Sequence, residues 1–429
     1  MTQEAEDLFV RTAAEHPRMF WLDGGGARPG AARRSLIGWL EDDDLSLSYD
    51  AARREVRAHW GGPGGPSEVV GDDPFAALEE AMAADAAAGV ADEVSWVGYF
   101  GYAARPDLPA RVTPTDGPRV PDALWMRARH VRELFHPETP APPPTTPPPP
   151  PGPVPAGYAT AYAEVQERLH AGDSYEVNLT YRVPGPTDPD EDPAAAYLRL
   201  RALNPAPYAG FLQHAVPGAG VHLLSSSPER FAVVDRHGWV ETKPIKGTTL
   251  RGATAAEDAA QAERLATDEK FRAENLMIVD LLRNDVGLVS DPGTVEVPVL
   301  MEVESYASVH QLVSTVRGRL RAGTSTVAAL RALFPAGSMT GAPKLRTMEI
   351  IANVEDTPRG VYAGAFGWIA GDGRADLGVV IRSWVRDADG RWELGTGGGI
   401  TVGSDPETEH AESRWKADRL LRVFTDPSS

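Results

Sequence analysis

The sequence predicts an α+β fold made of antiparallel strands and separate helices. Short segments of alternating apolar and polar residues, bounded by turn-forming residues, favour antiparallel pairing. Longer segments with apolar residues at helical spacing predict helices, and the two kinds of segment do not alternate as βαβ units. The strand candidates are 174–183, 220–226, 230–235, 360–370, 376–385 and 391–400, and the clearest helix candidates are 158–172, 271–285 and 408–424.

A proline-rich segment, 139–156, divides the sequence into two regions. Its composition favours polyproline conformation over helix or sheet, and we interpret it as a linker rather than as a ligand for a proline-binding partner. The region 1–138 contains an alanine-rich helix candidate and a strand-like WVGYFGYAA, but no cluster of titratable residues. We therefore predict a scaffold region at 1–138 and a catalytic region at 157–425.

Composition restricts the classes of partner and the cellular location. The net charge of −19 at pH 7 argues against a nucleic-acid partner, because phosphate binding needs a basic surface. The sequence contains no run of about 18 apolar residues, so it predicts no membrane span. The acidic N-terminal segment lacks the order of a secretory signal, so we expect a cytoplasmic protein. The absence of cysteine excludes disulfides, thiolate metal ligands and a cysteine nucleophile on this chain.

Lysine is rare in this chain, which carries most of its positive charge on arginine. There are five lysines: Lys243, Lys246, Lys270, Lys344 and Lys416. An ammonium group can lose its proton when buried and then act as a base or nucleophile, whereas a guanidinium stays charged. The few lysines are therefore candidates for amine chemistry, although a codon bias towards arginine would produce the same count.

The helix candidate at 271–285 carries carboxylates on an otherwise apolar surface. Glu274, Ile278, Leu281 and Asp285 lie on one stripe. A carboxylate on a buried helix needs a partner or a metal. The alternative interpretation places Glu274 at the start of the helix, where the helix dipole favours a negative charge.

The last helix candidate carries Glu409, Glu412 and Lys416 on one face, after the run GTGGGITVGSD. A solvated Glu412–Lys416 pair is the simpler interpretation. Three consecutive glycines let backbone N–H groups approach an anion, although they also form plain turns. Carboxylates from two helices beside a glycine run suit Mg²⁺, which binds through one or two carboxylates and the oxygens of its substrate.

Two polar residues interrupt apolar, strand-like stretches. His310 in ESYASVHQLVS is more typical of a structural than of a catalytic histidine. Arg382 in VVIRSWV needs a carboxylate partner if it is buried. The residue pattern alone predicts an α+β enzyme that binds a carboxylated small molecule, with Mg²⁺ and a reactive lysine.

Several motifs in the C-terminal region follow an order that resembles a known family. They are GDSYEVNL, SSPERF, KPIKGT, AENLMIVDLLRND, GSMTGAPK, RGVYAGAFGW, IRS and GTGGGITVGSDPETEHAE. Together they resemble the chorismate-utilising enzymes across 157–425, while 1–138 matches only in outline. The resemblance implies two largely antiparallel β-sheets packed as a sandwich with flanking helices.

Two motifs indicate a branch of this family. Members that use water as the nucleophile carry a lysine where this chain has Glu176, so isochorismate or salicylate synthesis is not expected. Anthranilate synthases typically have PIAGT, whereas KPIKGT resembles the aminodeoxychorismate synthase subunits, which make the 4-aminobenzoate precursor of folate and typically have QVNL upstream. The resemblance implies Mg²⁺-dependent amination of chorismate to 4-amino-4-deoxychorismate.

The resemblance also implies roles for individual residues. Lys246 would attack C2 of chorismate while Glu229, as general acid, assists departure of the C4 hydroxyl, and His310 would lie beside the ring. Mg²⁺ would be held by Glu274 and Glu412, with Glu409 nearby. The implied substrate-binding residues are Gly247, Thr248, Ser338, Tyr362, Arg382, Gly397, Gly398, Gly399 and Lys416.

An attacking Lys246 must be neutral, so its pKa is expected to fall from about 10.4. Burial would lower the pKa, and so would a neighbouring cation such as Lys243 or Mg²⁺. One departure concerns the metal site: Phe271 stands where anthranilate synthases carry an acidic residue, three positions before the glutamate that binds the metal.

The family resemblance also implies a partner. The glutaminase of this family uses a cysteine nucleophile, and this chain has none, so we expect a separate glutamine amidotransferase subunit to supply ammonia. The alternatives are an anthranilate synthase component I, which would release pyruvate, and an amino-chorismate enzyme of secondary metabolism. A non-catalytic scaffold for the amidotransferase and a lysine–pyridoxal phosphate enzyme are weaker alternatives.

Overall fold

The structure is a computed structural model that describes residues 2–24, 33–114, 120–136, 150–186, 188, 190–306 and 309–425. Residues 139–149 of the proline-rich segment lie outside the described residues. The α-helices are α1 (Thr2–Glu15), α2 (Pro74–Ala87), α3 (Ala156–His170), α4 (Pro193–Leu203), α5 (Ala255–Thr267), α6 (Glu269–Val289), α7 (Thr326–Leu333), α8 (Lys344–Val354) and α9 (Pro406–Leu421).

The described strands form two antiparallel sheets. The strands of the N-terminal region are β1 (Arg18–Asp23), β2 (Arg33–Trp39), β3 (Ser46–Asp50), β4 (Glu55–His59), β5 (Ser67–Gly71), β6 (Ser95–Phe100), β7 (Ala123–Ala128) and β8 (His130–His136). Those of the C-terminal region are β9 (Glu176–Pro184), β10 (Tyr208–His214), β11 (Val221–Ser227), β12 (Arg230–Val234), β13 (Trp239–Lys243), β14 (Ile245–Leu250), β15 (Glu296–Ser305), β16 (Val309–Arg319), β17 (Gly341–Ala342), β18 (Ala365–Ala370), β19 (Ala375–Val379), β20 (Ser383–Asp387) and β21 (Trp392–Ile400).

The strand order within each sheet mixes the two regions of the sequence. The first sheet has the order β17-β9-β21-β20-β11-β10-β1-β2-β8, and the second has β14-β16-β13-β12-β19-β18-β6-β7-β3-β4-β5, with β15 also paired to β16. Strand β1 pairs with β10, and β6 pairs with β18. The segment 139–156 therefore divides the sequence but not the sheets, because each sheet contains strands from both regions.

The two sheets pack face to face. Phe20 and Leu212 of the first sheet share one buried cluster with Tyr99 and Phe366 of the second. The sheets approach closely at Gly210, where an added Cβ would lie 2.7 Å from the Phe366 ring. The predicted α+β sandwich of two antiparallel sheets is confirmed.

Helices cover the outer faces of the sandwich. Buried residues of α1, α4 and α9 form a cluster with the outer face of the first sheet, and buried residues of α2, α6 and α7 do the same on the second. Burying the apolar stripe of each helix on a sheet removes that surface from water, which is the main favourable contribution to such layered folds. In the described part of the chain, no helix is long and apolar enough to cross a membrane.

The predicted single strand at 376–385 is wrong, because it consists of two strands in different sheets. Strand β19 belongs to the second sheet and β20 to the first. Arg382 lies between them with φ of +53°, a left-handed conformation that non-glycine residues rarely adopt and that ends the regular strand. The chain crosses between the sheets at this point, and Arg382 is placed at the end of the sandwich.

Candidate active site

A cavity of about 440 Å³ lies where β14, β21, α6 and α9 meet. Every residue predicted for the site except His310 lines it: Lys246, Glu229, Gly247, Thr248, Ser338, Tyr362, Arg382, Gly397, Gly398, Gly399, Lys416, Glu274, Glu412 and Glu409. These residues come from separate parts of the sequence, and the sandwich brings them together.

His310 is not among the residues that line this cavity. Its side chain is 2% exposed, and its two ring nitrogens contact Ser305 Oγ at 2.8 Å and Asp258 Oδ1 at 3.0 Å. Asp258 also pairs with Arg251. These contacts join β16 to α5 and the end of β15, whereas the resemblance implied a position for His310 beside the substrate ring.

Lys246 extends from β14 into the cavity and forms an ion pair with Glu176 at the start of β9. Both side chains are largely buried. Burial alone would lower the pKa of Lys246, but the charges of Glu176 and Glu274 outweigh it, so the pKa is raised. The expected lowering of this pKa is therefore wrong, because the negative charges of Glu176, Glu274 and Glu229 all act on the amine.

Lys243 does not supply the expected neighbouring cation. Its ammonium lies 2.7 Å from Glu304 Oε1. Pro244 separates β13 from β14, so Lys243 and Lys246 belong to different strands and pair with different carboxylates.

Glu229 is a buried carboxyl group in the cavity, at the turn between β11 and β12. Its side chain is 6% exposed, and Ser338 Oγ donates a hydrogen bond to Oε1 at 2.7 Å. Burial raises the pKa of Glu229 to about 7. A carboxyl group with this pKa can hold a proton near neutral pH and donate it to a leaving group.

Three more carboxylates reach the cavity from α6 and α9, and lysines accompany them. Lys270 Nζ lies 3.3 Å from Glu409 Oε1 and 3.9 Å from Glu274 Oε1. Lys416 Nζ lies 2.8 Å from Glu412 Oε1. The predicted Glu412–Lys416 pair is therefore present, at the edge of a cavity rather than on an open surface.

Glu274 lies within α6 rather than at its start. Asp268 caps this helix by accepting hydrogen bonds from the N–H groups of Lys270 and Phe271. The interpretation of Glu274 as the charge at the helix start is therefore wrong. Burial raises the pKa of Glu274 to about 7, and the charges of Lys246 and Lys270 only partly offset this effect.

The donor set fits Mg²⁺. In the part of the chain that the structure describes, no three side chains of the types that ligate metals are close enough to hold an ion by themselves. Mg²⁺ usually takes only one or two protein carboxylates and completes its shell with water and substrate oxygens. Glu274 and Glu412 are two such carboxylates, one on α6 and one on α9, and both line the cavity.

The opposite part of the cavity suits an anion. Burial lowers the pKa of Arg382 to about 10, and Tyr362 lies beside it in the lining. Behind Tyr362, the Arg182 guanidinium stacks 4.6 Å from the ring centroid. Arg182 and Arg359 both pair with the buried carboxylate of Glu355, and Arg382 supplies a positive charge to the lining itself.

The glycine run lies in strand β21 and not in a turn. A Cβ on Gly397 would lie 2.2 Å from the Leu179 carbonyl oxygen, and one on Gly399 would lie 1.9 Å from Glu176 Oε1. At Gly398 the nearest atoms are Lys416 Nζ and Glu409 Oε2. Glycine is needed at the first and third positions because larger residues would displace β9 or Glu176.

Several polar residues at the site were not predicted, and four of them lie beside its charged or aromatic groups. Sequence reasoning noted Glu176 only for lacking an amine and Lys270 only as one of five lysines, and it assigned nothing to Asn178 and Arg182. Lys270 was detectable from its rarity and from its spacing of four residues from Glu274. Asn178 lines the cavity, and its position two residues after Glu176 places both side chains on one face of β9.

A cavity of this size, with an amine, paired carboxylates and a cationic region, suits a small anionic substrate. A buried acid and a buried lysine in one cavity are typical of an enzyme active site. The comparison with protein families agrees: the family described as chorismate binding enzyme matches residues 52–422. The chain belongs to this family.

The similar proteins are named for two amination reactions. An aminodeoxychorismate synthase of Streptomyces pristinaespiralis is 42% identical over 98% of this chain and 64% of that protein, and one of Streptomyces griseus is 52% identical over 62% and 36%. An anthranilate synthase component 1 of Streptomyces coelicolor is 36% identical over 83% and 78%. The chain spans less than two thirds of the length of the aminodeoxychorismate synthases it matches.

Solved structures share the fold. Anthranilate synthase component I from Streptococcus pneumoniae superposes with a TM-score of 0.71 at 25% identity, covering 92% of each chain. A 2,3-dihydroxybenzoate-specific isochorismate synthase from Bacillus anthracis superposes with a TM-score of 0.71 at 17% identity, covering 98% of this chain and 99% of that one. The sandwich fold of this chain is thus shared with these two enzymes.

Proposed function

We propose that this chain aminates chorismate to 4-amino-4-deoxychorismate, with Mg²⁺ bound and with ammonia supplied by a glutamine amidotransferase subunit. The observation that carries the proposal is Lys246, a buried lysine that projects into the cavity beside a carboxyl group with a pKa of about 7. A lysine nucleophile and a proton donor are what the covalent route requires. The aminodeoxychorismate synthases among the relatives support the same reaction.

In the first half of the reaction, the neutral amine of Lys246 forms a bond to C2 of the ring. The ring double bonds shift, the C4–O bond breaks, and the departing hydroxyl takes the proton of Glu229 to leave as water. Ser338, which donates to Glu229 Oε1, fixes the orientation of this acid. The products of the step are an ammonium-type adduct on Lys246 and an ionised Glu229.

In the second half, ammonia forms a bond to C4 and the double bonds shift back. The C2–N bond breaks, and Lys246 departs as an amine with its electron pair. Glu229 takes one proton from the new C4 ammonium group and returns to its acid form. The balance is chorismate and ammonia to 4-amino-4-deoxychorismate and water.

The two carboxylates of chorismate match the two ends of the cavity. Arg382 and Tyr362 would hold the enolpyruvyl carboxylate, with the Gly397–Gly399 backbone beside it. Glu274 and Glu412 would hold Mg²⁺, and a magnesium ion bound there would offset most of the negative charge of the ring carboxylate and these two glutamates. Lys270 offsets the charge of Glu409 in the same region.

An anthranilate synthase is the second candidate, since one such relative aligns with 83% of this chain. Product analysis separates the two. Purified chain, chorismate, Mg²⁺ and ammonium ions are expected to yield 4-amino-4-deoxychorismate by liquid chromatography and mass spectrometry. Fluorescent anthranilate together with pyruvate would instead assign the second function, and unchanged chorismate would leave only a binding role.

The Glu229→Gln variant tests whether Glu229 is the general acid, because the pH dependence of adduct formation should differ between this variant and the wild type. Adduct formation needs neutral Lys246, whose pKa is raised, and protonated Glu229, whose pKa is about 7. Below pH 7 the rate rises with pH because more of the amine is neutral; above pH 7 loss of the Glu229 proton cancels that rise, and the profile becomes level.

The amide side chain of the Glu229→Gln variant cannot donate an acidic proton, so we expect a rate lower by about 10²–10⁴-fold. The remaining rate should keep rising above pH 7, since only Lys246 then titrates. Single-turnover mass spectrometry from pH 6 to 9 measures both. A variant that keeps the level region near pH 7 would show that another group is the acid.

A further inference from the structure

The carboxylate of Glu176 is built into the site as the direct partner of Lys246. It is 1% exposed, and among the described residues it is the only carboxylate within 4 Å of Lys246 Nζ. Gly399 makes room for it, because a Cβ there would lie 1.9 Å from Glu176 Oε1. Strand β21 has no side chain at this position, and the buried carboxylate of Glu176 fills the space. This arrangement indicates a specific role for that carboxylate.

The charge of Glu176 is directed at Lys246. Its second oxygen, Oε2, is buried and has no hydrogen-bond donor within the described ranges. A buried carboxylate with so few donors interacts strongly with the one cation that it contacts. Glu176 also contacts the reacting nitrogen directly. The other acidic groups around Lys246 lie farther away: Glu229 after β11, Glu274 on α6 and Glu412 on α9.

We propose that Glu176 is the counter-ion that keeps the nitrogen of Lys246 protonated, both in the resting site and in the lysine adduct. The second half of this role rests on the proposed function. In the resting site, Glu176 limits the amount of neutral amine. In the adduct, the nitrogen bonded to C2 carries two hydrogens and a positive charge, and Glu176 stabilises that charged form.

The charged adduct is the form that can react onward. When ammonia bonds to C4 and the C2–N bond breaks, the electron pair stays on nitrogen and Lys246 leaves as a neutral amine. An adduct that had lost its proton would have to leave as an amide anion, which is far less favourable. Glu176 therefore slows attack by Lys246 and speeds its departure.

The first test measures the amine without any turnover. Competitive labelling with trace acetic anhydride, followed by mass spectrometry of the Lys246 peptide, gives the pH midpoint at which the amine becomes reactive. Glu176→Gln keeps the shape but removes the charge, and we expect its midpoint to fall by about 1–3 pH units. Glu176→Asp keeps the charge and should stay near the wild type.

The Lys243–Glu304 pair provides a matched control three residues away. Glu304→Gln removes a similar carboxylate outside the cavity and should leave the Lys246 midpoint unchanged. A Glu176→Gln midpoint equal to that of the wild type would overturn the proposal. So would a shift of the same size in Glu304→Gln, because Glu176 would then have no special effect.

The second test follows the adduct with chorismate and Mg²⁺. In Glu176→Gln we expect adduct formation at pH 7 to be at least about 10-fold faster, the change that corresponds to one pH unit of the Lys246 midpoint, and we expect the adduct to accumulate when ammonium ions are present. Loss of adduct formation in this variant would overturn the proposal. A shifted labelling midpoint with no adduct in any variant, the wild type included, upholds the counter-ion in the resting site and overturns the lysine-nucleophile function instead.

Discussion

Lys246→Ala is expected to abolish the covalent adduct and to lower amination of chorismate by at least about 10³-fold, as removal of a nucleophile does in a covalent mechanism. The wild type, incubated with chorismate and Mg²⁺ but without ammonia, should gain the mass of the substrate minus water. Lys246→Ala should gain nothing, because the amine that forms the bond to C2 has been removed.

Lys243→Ala is the matched control for this experiment. Lys243 lies three residues away but pairs with Glu304 outside the cavity lining, so this variant should form the adduct at a rate close to that of the wild type. An adduct that persists in Lys246→Ala would place the nucleophile elsewhere. Full activity without any adduct would show direct attack by ammonia and would make Lys246 a pocket residue.

Glu355→Gln is expected to cause the largest loss of stability among single polar substitutions. Glu355 accepts hydrogen bonds from Arg359 at 2.7 and 3.0 Å and from the N–H and hydroxyl of Thr180. Arg182 lies 3.6 Å from its second oxygen. The substitution leaves two buried guanidinium groups without their carboxylate, which costs about 3–5 kcal/mol.

Urea unfolding measures this difference, with Glu349→Gln, on the helix α8 that ends just before Glu355, as the control. Glu349 pairs with Arg346 at 2.9 Å, but both side chains are more than 40% exposed. Exposed pairs contribute at most about 1 kcal/mol, so the control should change the free energy of unfolding little. Equal losses for the two variants would show that the Glu355 network contributes no more than a surface pair.

The same network connects stability to the site. Arg182 stacks on Tyr362, and Arg359 donates to the Asn178 carbonyl oxygen at 2.7 Å. A partly destabilised Glu355→Gln protein that still folds should therefore bind chorismate more weakly, because both neighbours of the network line the cavity.

The residue pattern predicted the fold class, and the family motifs predicted most residues of the candidate site. Alternating strands, helical spacing and turn residues are local properties, so they identify elements without knowledge of the fold. The residues of the site stand in short ordered motifs, so they could be named from the sequence, and all but His310 line one cavity. The resemblance implied a position for His310 beside the substrate ring, but its contacts are with Ser305 and Asp258.

The contacts and charge interactions among these residues depend on the tertiary structure. Glu176 and Lys246 are 70 residues apart, and nothing local indicates that their side chains meet and raise the pKa of the lysine. The break at Arg382 was missed because a strand that changes sheets has the same apolar pattern as one that does not. Charge interactions and sheet membership depend on which distant segments lie within a few ångströms, and only the folded chain sets those distances.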